Sequence, residues 1–203
     1  MGRATALELA RLGAAVSLVG RRDTLLADLA AEIEAAGGTS LVVPADITDP
    51  RAAPHLVKAA GKDPRRGADL VHIGSLAGRN AFGMSAVYCA TKFGVGAFTG
   101  ALRQELASQH VRVSVVEPGC VETELRFPNP TVVQEQPDAC LGDIERLRSQ
   151  DIADAVGYVV SRPRHVAVGE LLIRPTEQVP PTRRPGRTRP RVRESAGTGR
   201  GPA

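Results

Sequence analysis

The sequence predicts an α/β domain of the Rossmann-like, doubly wound class, with a parallel sheet flanked by helices. Short apolar runs alternate with segments of helical periodicity, the pattern left by parallel strands and their helical crossovers. Aromatic residues are only 3% of the 203 residues while hydrophobic residues reach 42%, so the core must come from Ala, Val, Leu and Ile packed closely, as helices pack on a sheet. The alternation stumbles once, between residues 51 and 67, where the chain is rich in Gly, Pro and charge.

Residues Thr5 to Leu12 place Ala6, Leu9 and Ala10 at helical spacing, and Gly13 offers the C-terminal cap. Ala14 to Val19 reads as a buried parallel strand. Asp23 to Ala36 is a helix with Leu25, Leu26, Leu29 and Ile33 on one face, stopped by Gly37-Gly38. Ser40 to Val43 is the next strand, closed by Pro44 and a polar turn in which Asp46 and Asp49 are turn or cap formers. Arg51 to Ala60 is read as a short helix and Gly61 to Gly67 as a loop. A strand over Asp69 to Ile73 then leads into Gly74-Ser75. A long helix over about Ser85 to Ser108 precedes the strand Val111 to Val116, ended by Glu117-Pro118-Gly119. Val121 to about Pro137 reads as a loop or lid, Asp151 to Val160 as a helix, and Glu170 to Arg174 as the last strand.

From Val179 onward the composition is Pro, Arg, Gly and Thr with almost no apolar side chains, which cannot offset its ordering entropy, so this tail is expected to be disordered. The expected organisation is one domain over 1–178 and a basic tail over 179–203. The formal net charge of +4 is concentrated there: seven arginines stand against one glutamate, leaving a slightly acidic body. No stacking aromatic lies between the arginines, so nucleic-acid binding is not the expected role. The three cysteines form no CxxC pair and no metal spacing, so neither a disulfide framework nor a metal site is expected. With no run approaching about 18 apolar residues, a soluble, unanchored protein of the reducing cytoplasm is the expectation.

The informative constellation is Ser75, Tyr88 and Lys92. Tyr88 and Lys92 stand four apart on the long helix, so both project from one face about one turn apart. A phenol titrates near pH ~10 and is a poor acid-base catalyst at neutrality unless a neighbouring ammonium stabilises its phenolate. Lys92 is placed to do that. Ser75, at the carboxyl end of a strand, can donate to the same substrate oxygen that Tyr88 protonates. That is the mouth of a parallel sheet, where open α/β folds bind ligands.

The stretches Gly74-Ser75-Leu76-Ala77-Gly78, Tyr88-Cys89-Ala90-Thr91-Lys92 and Val116-Glu117-Pro118-Gly119-Cys120-Val121-Glu122-Thr123 closely resemble the short-chain dehydrogenase/reductase family in spacing and order. The resemblance implies an oxidoreductase moving hydride between a nicotinamide cofactor and a small-molecule carbonyl or alcohol. Tyr88 would be the acid/base, Lys92 would lower its pKa and bind the cofactor ribose, and Ser75 would orient the substrate. Pro118, Gly119, Val121 and Thr123 match positions that contact the nicotinamide half of the cofactor. Upstream, Arg3 to Ala14 resembles the first helix after the glycine-rich loop, with Gly2 matching that loop. Asp46 and Ile47 lie in a segment resembling the adenine-contacting turn. At the second strand's end, where an acidic residue would accept from the ribose hydroxyls of NAD, stand Arg21 and Arg22, which suit the 2′-phosphate of NADP. NADP is therefore the expected cofactor. Family members also often pair through the helix that here bears Tyr88 and Lys92, which makes a homo-oligomer the implied assembly.

Two departures from the family are visible. The chain starts at the first helix, so the family's first strand and most of its TGxxxGxG loop are not matched. Between Pro50 and Arg51 a helix, the strand carrying the NNAG motif and an Asn that relays protons are also unmatched. In the family's strand order the two unmatched strands are central neighbours. The sheet is therefore expected to divide into a second-third pair and a fifth-sixth-seventh group with apolar edges between them. Each buried unpaired backbone group costs ~1–3 kcal/mol against a domain stability of ~5–15. This deficit keeps a second class open, a truncated, catalytically inactive homologue acting as a binding or interaction protein.

Overall fold

The computed structural model describes residues 1–49, 51, 68–83, 85–124 and 144–178. Helix α1 (Gly2–Arg11) leads into strand β1 (Ala15–Gly20), helix α2 (Asp23–Ala35) and strand β2 (Thr39–Pro44). Strand β3 (Ala68–Ile73), a 3-10 turn (Leu76–Gly78), helix α3 (Ala86–Leu106) and strand β4 (Val111–Pro118) follow, then helix α4 (Ser149–Val160) and strand β5 (Glu170–Ile173). The short helix and loop read over 51–67 fall, apart from Arg51, outside the described residues, as do most of the lid and the tail from Val179.

Among the described residues the strands form two separate parallel sheets, β1-β2 and β3-β4-β5. This is the division expected from the unmatched central strands. The β1-β2 pair runs from Ala15 opposite Thr39 to Gly20 opposite Pro44. In the larger sheet Ile73 sits opposite Val116, and β5 pairs only with the carboxyl half of β4, Pro118 opposite Ile173. Strand β4 therefore runs two residues further than its apolar pattern indicates. Pro118 is tolerated in this central strand because the β3 ladder has already ended at Val116 and no partner there needs its missing N–H.

Each sheet has its own core. Ala6 of α1, Leu18 of β1, and Leu29, Ala30 and Ile33 of α2 form one, with Val16 and Val42 packed against it. Val116 of β4 and Ile152, Ala155, Val156 and Val159 of α4 form the other, with Val71, Ile73, Leu171 and Ile173 around it. Burying each such Val, Leu or Ile side chain contributes ~1.5–3 kcal/mol. Helix α1 belongs to both cores. Its Leu7 and Ala10 line the first, and its Leu9, with Met1 just before it, the second. It approaches α4 closely at Gly157, where an added Cβ would lie 3.1 Å from the Glu8 carboxylate and 3.3 Å from Leu12.

Strand β4 is buried along nearly its whole length, as a strand covered on both faces should be. The β1-β2 pair differs: Val19 and Leu41 remain 38% and 51% exposed. The expected apolar exposure thus lies on a sheet face as well as at an edge. Helix α1 starts at Gly2 rather than Thr5, its first bond running from Thr5 N–H to the Met1 carbonyl. Gly13 takes a left-handed φ of 86° directly after it, the cap conformation that glycine adopts without Cβ strain. The long helix ends at Leu106, and a 3-10 turn then closes at His110, a residue with φ 57°.

Candidate active site

The carboxyl end of β3 organises the candidate site. From Gly74 the backbone turns away, tied to β4 by the Gly74 N–H to Val116 carbonyl bond of 2.7 Å. Ser75 is extended and caps the 3-10 turn: its Oγ accepts from the Ala77 N–H at 3.1 Å. A hydroxyl has one donor and two acceptor lone pairs, so this bond leaves the Ser75 O–H free to donate. The turn lies directly on α3. A Cβ at Gly78 would sit 2.8 Å from the Lys92 carbonyl oxygen, so only glycine lets the two backbones come this close.

On α3, Tyr88 and Lys92 share a face as their spacing requires, the Lys92 ammonium lying 5.8 Å from the Tyr88 ring centroid. The same ammonium donates to the Ile73 carbonyl at 3.1 Å, anchoring it at the strand end two residues before Ser75. One donor is used there and two remain. Burial pushes the Lys92 pKa below its ordinary value. Tyr88 is 42% exposed. Lys92 therefore reaches the strand end that precedes Ser75, through its bond to Ile73 and the Gly78 contact, and Tyr88 stands beside it on the same helix face.

The segment after β4 is fixed tightly. Pro118 is buried, Gly119 N–H donates to the Ile173 carbonyl at 2.6 Å, and Cys120 N–H donates to the Gln178 amide oxygen at 2.9 Å. A Cβ on Gly119 would collide with that amide oxygen and come within 2.9 Å of Arg174 Cβ. Gly119→Ala is accordingly expected to destabilise the chain by about 1–3 kcal/mol, read as a lowered denaturant midpoint. An unchanged midpoint would mean that the loop gives way freely. Val121 forms an isolated bridge to Leu147, and Thr123 follows half-buried.

Arg21, Arg22, Asp46 and Ile47 gather at the carboxyl ends of β1 and β2, where the Ala45 N–H to Gly20 carbonyl bond of 2.9 Å joins the strands. Asp46 accepts from the Thr48 backbone and hydroxyl at 2.9 and 2.8 Å. These bonds, with a smaller contribution from Arg21, hold its carboxyl below the ordinary range. Arg21 and Arg22 are exposed, and Arg22 pairs with Glu124 at 3.3 Å, beside Thr123. Gly2 opens α1 and is exposed, with nothing within 4 Å of where its Cβ would be. Two further residues, Arg79 and Glu117, join the Ser75 turn to β4. Their contact spans 38 residues and no local pattern points to it.

Among the described residues no group of His, Cys, Asp or Glu side chains could hold a metal ion, and no helix is long and apolar enough to cross a membrane.

The sequence profile described as short chain dehydrogenase matches residues 1–66 and 63–131. The human protein dehydrogenase/reductase SDR family member 11 is 39% identical over 114 residues, 54% of this chain and 44% of that protein. The NADP-dependent 3-hydroxy acid dehydrogenase of Schizosaccharomyces pombe is 33% identical over 110 residues, 54% of this chain and 42% of its own length. The chain thus spans a little under half the length of these relatives. Among solved structures, the closed form of serine dehydrogenase complexed with NADP+ superposes with a TM-score of 0.73 at 22% identity, over 89% of this chain and 93% of that one. A 3-ketoacyl-ACP reductase from Sinorhizobium meliloti gives a TM-score of 0.69 at 26% identity, over 85% and 92%. From the profile match and the parallel-stranded fold together, the chain belongs to the short-chain dehydrogenase family of oxidoreductases.

Proposed function

We propose that this chain carries out NADP(H)-dependent reduction of a carbonyl, or oxidation of the corresponding alcohol, on a small molecule. The observation that carries the reading is the anchoring of Lys92 to the Ile73 carbonyl, which sets the ammonium beside the Tyr88 ring at the strand end that presents Ser75. In this reading the Ser75 hydroxyl donates to the substrate oxygen, Tyr88 gives up or takes the proton on that oxygen, and the Lys92 charge stabilises the phenolate in between. The nicotinamide supplies the hydride when bound. Arg21 and Arg22 would hold the 2′-phosphate, Asp46 and Ile47 the adenine side, Gly2 the pyrophosphate, and Pro118, Gly119, Val121 and Thr123 the nicotinamide side. Val87, Phe93 and Phe98 of α3 are 80%, 46% and 57% exposed, which supports pairing of two copies through this helix.

The test is a titration with NADPH and separately with NADH, following nicotinamide fluorescence and the unfolding midpoint together. Saturable NADPH binding that raises the midpoint is expected. Arg21→Ala and Arg22→Ala should each weaken NADPH about 10-fold or more while leaving NADH unchanged, since a hydrogen bond to a charged group is worth ~1.5–3 kcal/mol. Equal loss for both cofactors would assign the arginines a structural role. The second reading, an inactive binding protein, is supported by the exposed Val19 and Leu41 of the two-stranded sheet. It predicts a cooperatively folded chain that binds neither nucleotide.

A further inference from the structure

One charged cluster lies against the candidate site without taking part in the proposed proton transfer. Successive side chains of a strand point to opposite faces. Val116 of β4 belongs to the core with α4, so Glu117 points the other way, under the turn that carries Ser75. That turn is pressed onto it. A Cβ at Gly74 would meet Glu117 Cγ at 3.1 Å, and one at Gly78 would meet its carboxylate oxygen at 3.6 Å and the Lys92 carbonyl at 2.8 Å. Glu117 is only 4% exposed, and a buried carboxylate needs a counter-charge with hydrogen bonds. Arg79, the residue closing the turn, provides it: its Nε donates to Glu117 at 2.5 Å, and its Nη2 also reaches Glu170, the first residue of β5, at 2.5 Å.

The connections run to both halves of the chemistry. Through the chain, Arg79 is continuous with the turn that Ser75 caps and that lies on the Lys92 backbone. Through the chain in the other direction, Glu117 is continuous with Pro118 and Gly119, the segment pinned to Ile173 and Gln178. A forked guanidinium shared by two carboxylates fixes direction as well as distance, which an ammonium cannot do. We propose that Arg79 and Glu117, braced by Glu170, are positioning residues that hold the Ser75 turn in register with the Pro118-Gly119 segment. This rests on the oxidoreductase reading. In that reading neither residue is given a contact with a reacting atom. A buried ion pair is by itself weak evidence for stability, since apolar replacements are often as stable, so the expected signature is one of geometry.

The test compares Arg79→Gln, Glu117→Gln and the milder Arg79→Lys in the full chain by amide hydrogen exchange and by steady-state NADPH turnover. Exchange at Gly74, Ala77, Gly78, Gly119 and Cys120 should quicken about tenfold in the glutamine variants and less in Arg79→Lys, with Val113 and Val115 of β4 unchanged. Turnover should fall in kcat about tenfold, with the KM for NADPH within about twofold. Unchanged exchange in the turn, or equal acceleration through the whole of β4, overturns the positioning role, and Arg79→Lys decides the matter should a glutamine variant fail to fold. A wild-type chain with no turnover overturns the oxidoreductase reading alone, because the exchange pattern still reports whether the pair sets the turn.

Discussion

Tyr88→Phe is expected to reduce carbonyl turnover about 10³-fold while NADPH binds within about twofold of the unaltered chain. The size follows from the proposed role. Positioned acid-base groups contribute ~10²–10⁴, and phenylalanine keeps the ring, its contact with the Lys92 ammonium and the helix while removing only the ionisable oxygen. Lys92→Ala should behave differently. It removes the charge that favours the phenolate and also the donor to the Ile73 carbonyl, so both turnover and nucleotide binding should weaken. The pH profile carries the same signature. Burial lowers the Lys92 pKa, so the ammonium is lost earlier on the alkaline side than for an exposed lysine, and the support it gives the phenolate falls away as pH rises through that value. Stopped-flow single-turnover rates of the two variants measure this directly. A Tyr88→Phe protein with undiminished turnover would remove Tyr88 from the chemistry.

Arg112→Ala should lower the unfolding midpoint by about 10 °C. Arg112 is 8% exposed, although it lies on β4 among valines. Its guanidinium donates to Asp69 of β3 at 2.5 Å and to the carbonyls of Val160, Arg162 and Val166 at 2.9 Å each, with a longer contact to Pro163 at 3.3 Å. One side chain therefore satisfies the end of α4 and the connection that brings the chain back to β5. Truncating it strands those carbonyls, for a cost of about 3–5 kcal/mol, and a domain of this size loses ~2–4 °C per kcal/mol. Arg164→Ala is the control. Arg164 bonds the same Asp69 at 2.9 Å but is itself 44% exposed, so its loss should move the midpoint by no more than a few degrees. Calorimetry showing equal small shifts for both would refute the distinction.

Much of this arrangement can be read from the sequence because it is local. Strands β1 to β5 announce themselves as short apolar runs, and Tyr88 and Lys92 meet because four residues make about one helical turn. The two separate sheets follow from counting elements, since two strands that sit at the centre of the family's sheet are not matched among the residues read. What could not be read is long-range. Strand β4 extends to Pro118 because β5 pairs with it there, which no local signal in Glu117-Pro118 shows. Helix α1 begins at Gly2 while its neighbour Met1 packs into a core built mostly from residues 116–173, a contact invisible to helical periodicity. Arg79, Arg112 and Gln178 look like surface residues by type. Only folding reveals that their partners are a glutamate 38 residues away, a string of carbonyls and a backbone amide 58 residues away.

The division of the strands bears on how the molecule comes apart. The two sheets share no strand ladder among the described residues, and helix α1 contributes side chains to both cores. Among the described residues, cooperativity between the halves therefore passes through the packing of one ten-residue helix and surface contacts such as Arg22 with Glu124. Units joined this sparingly can open singly, each with its own free energy. In the proposed reading, a dinucleotide laid from Arg21 to Gly119 would touch both, so its binding would weld two semi-independent foldons into a single melting unit.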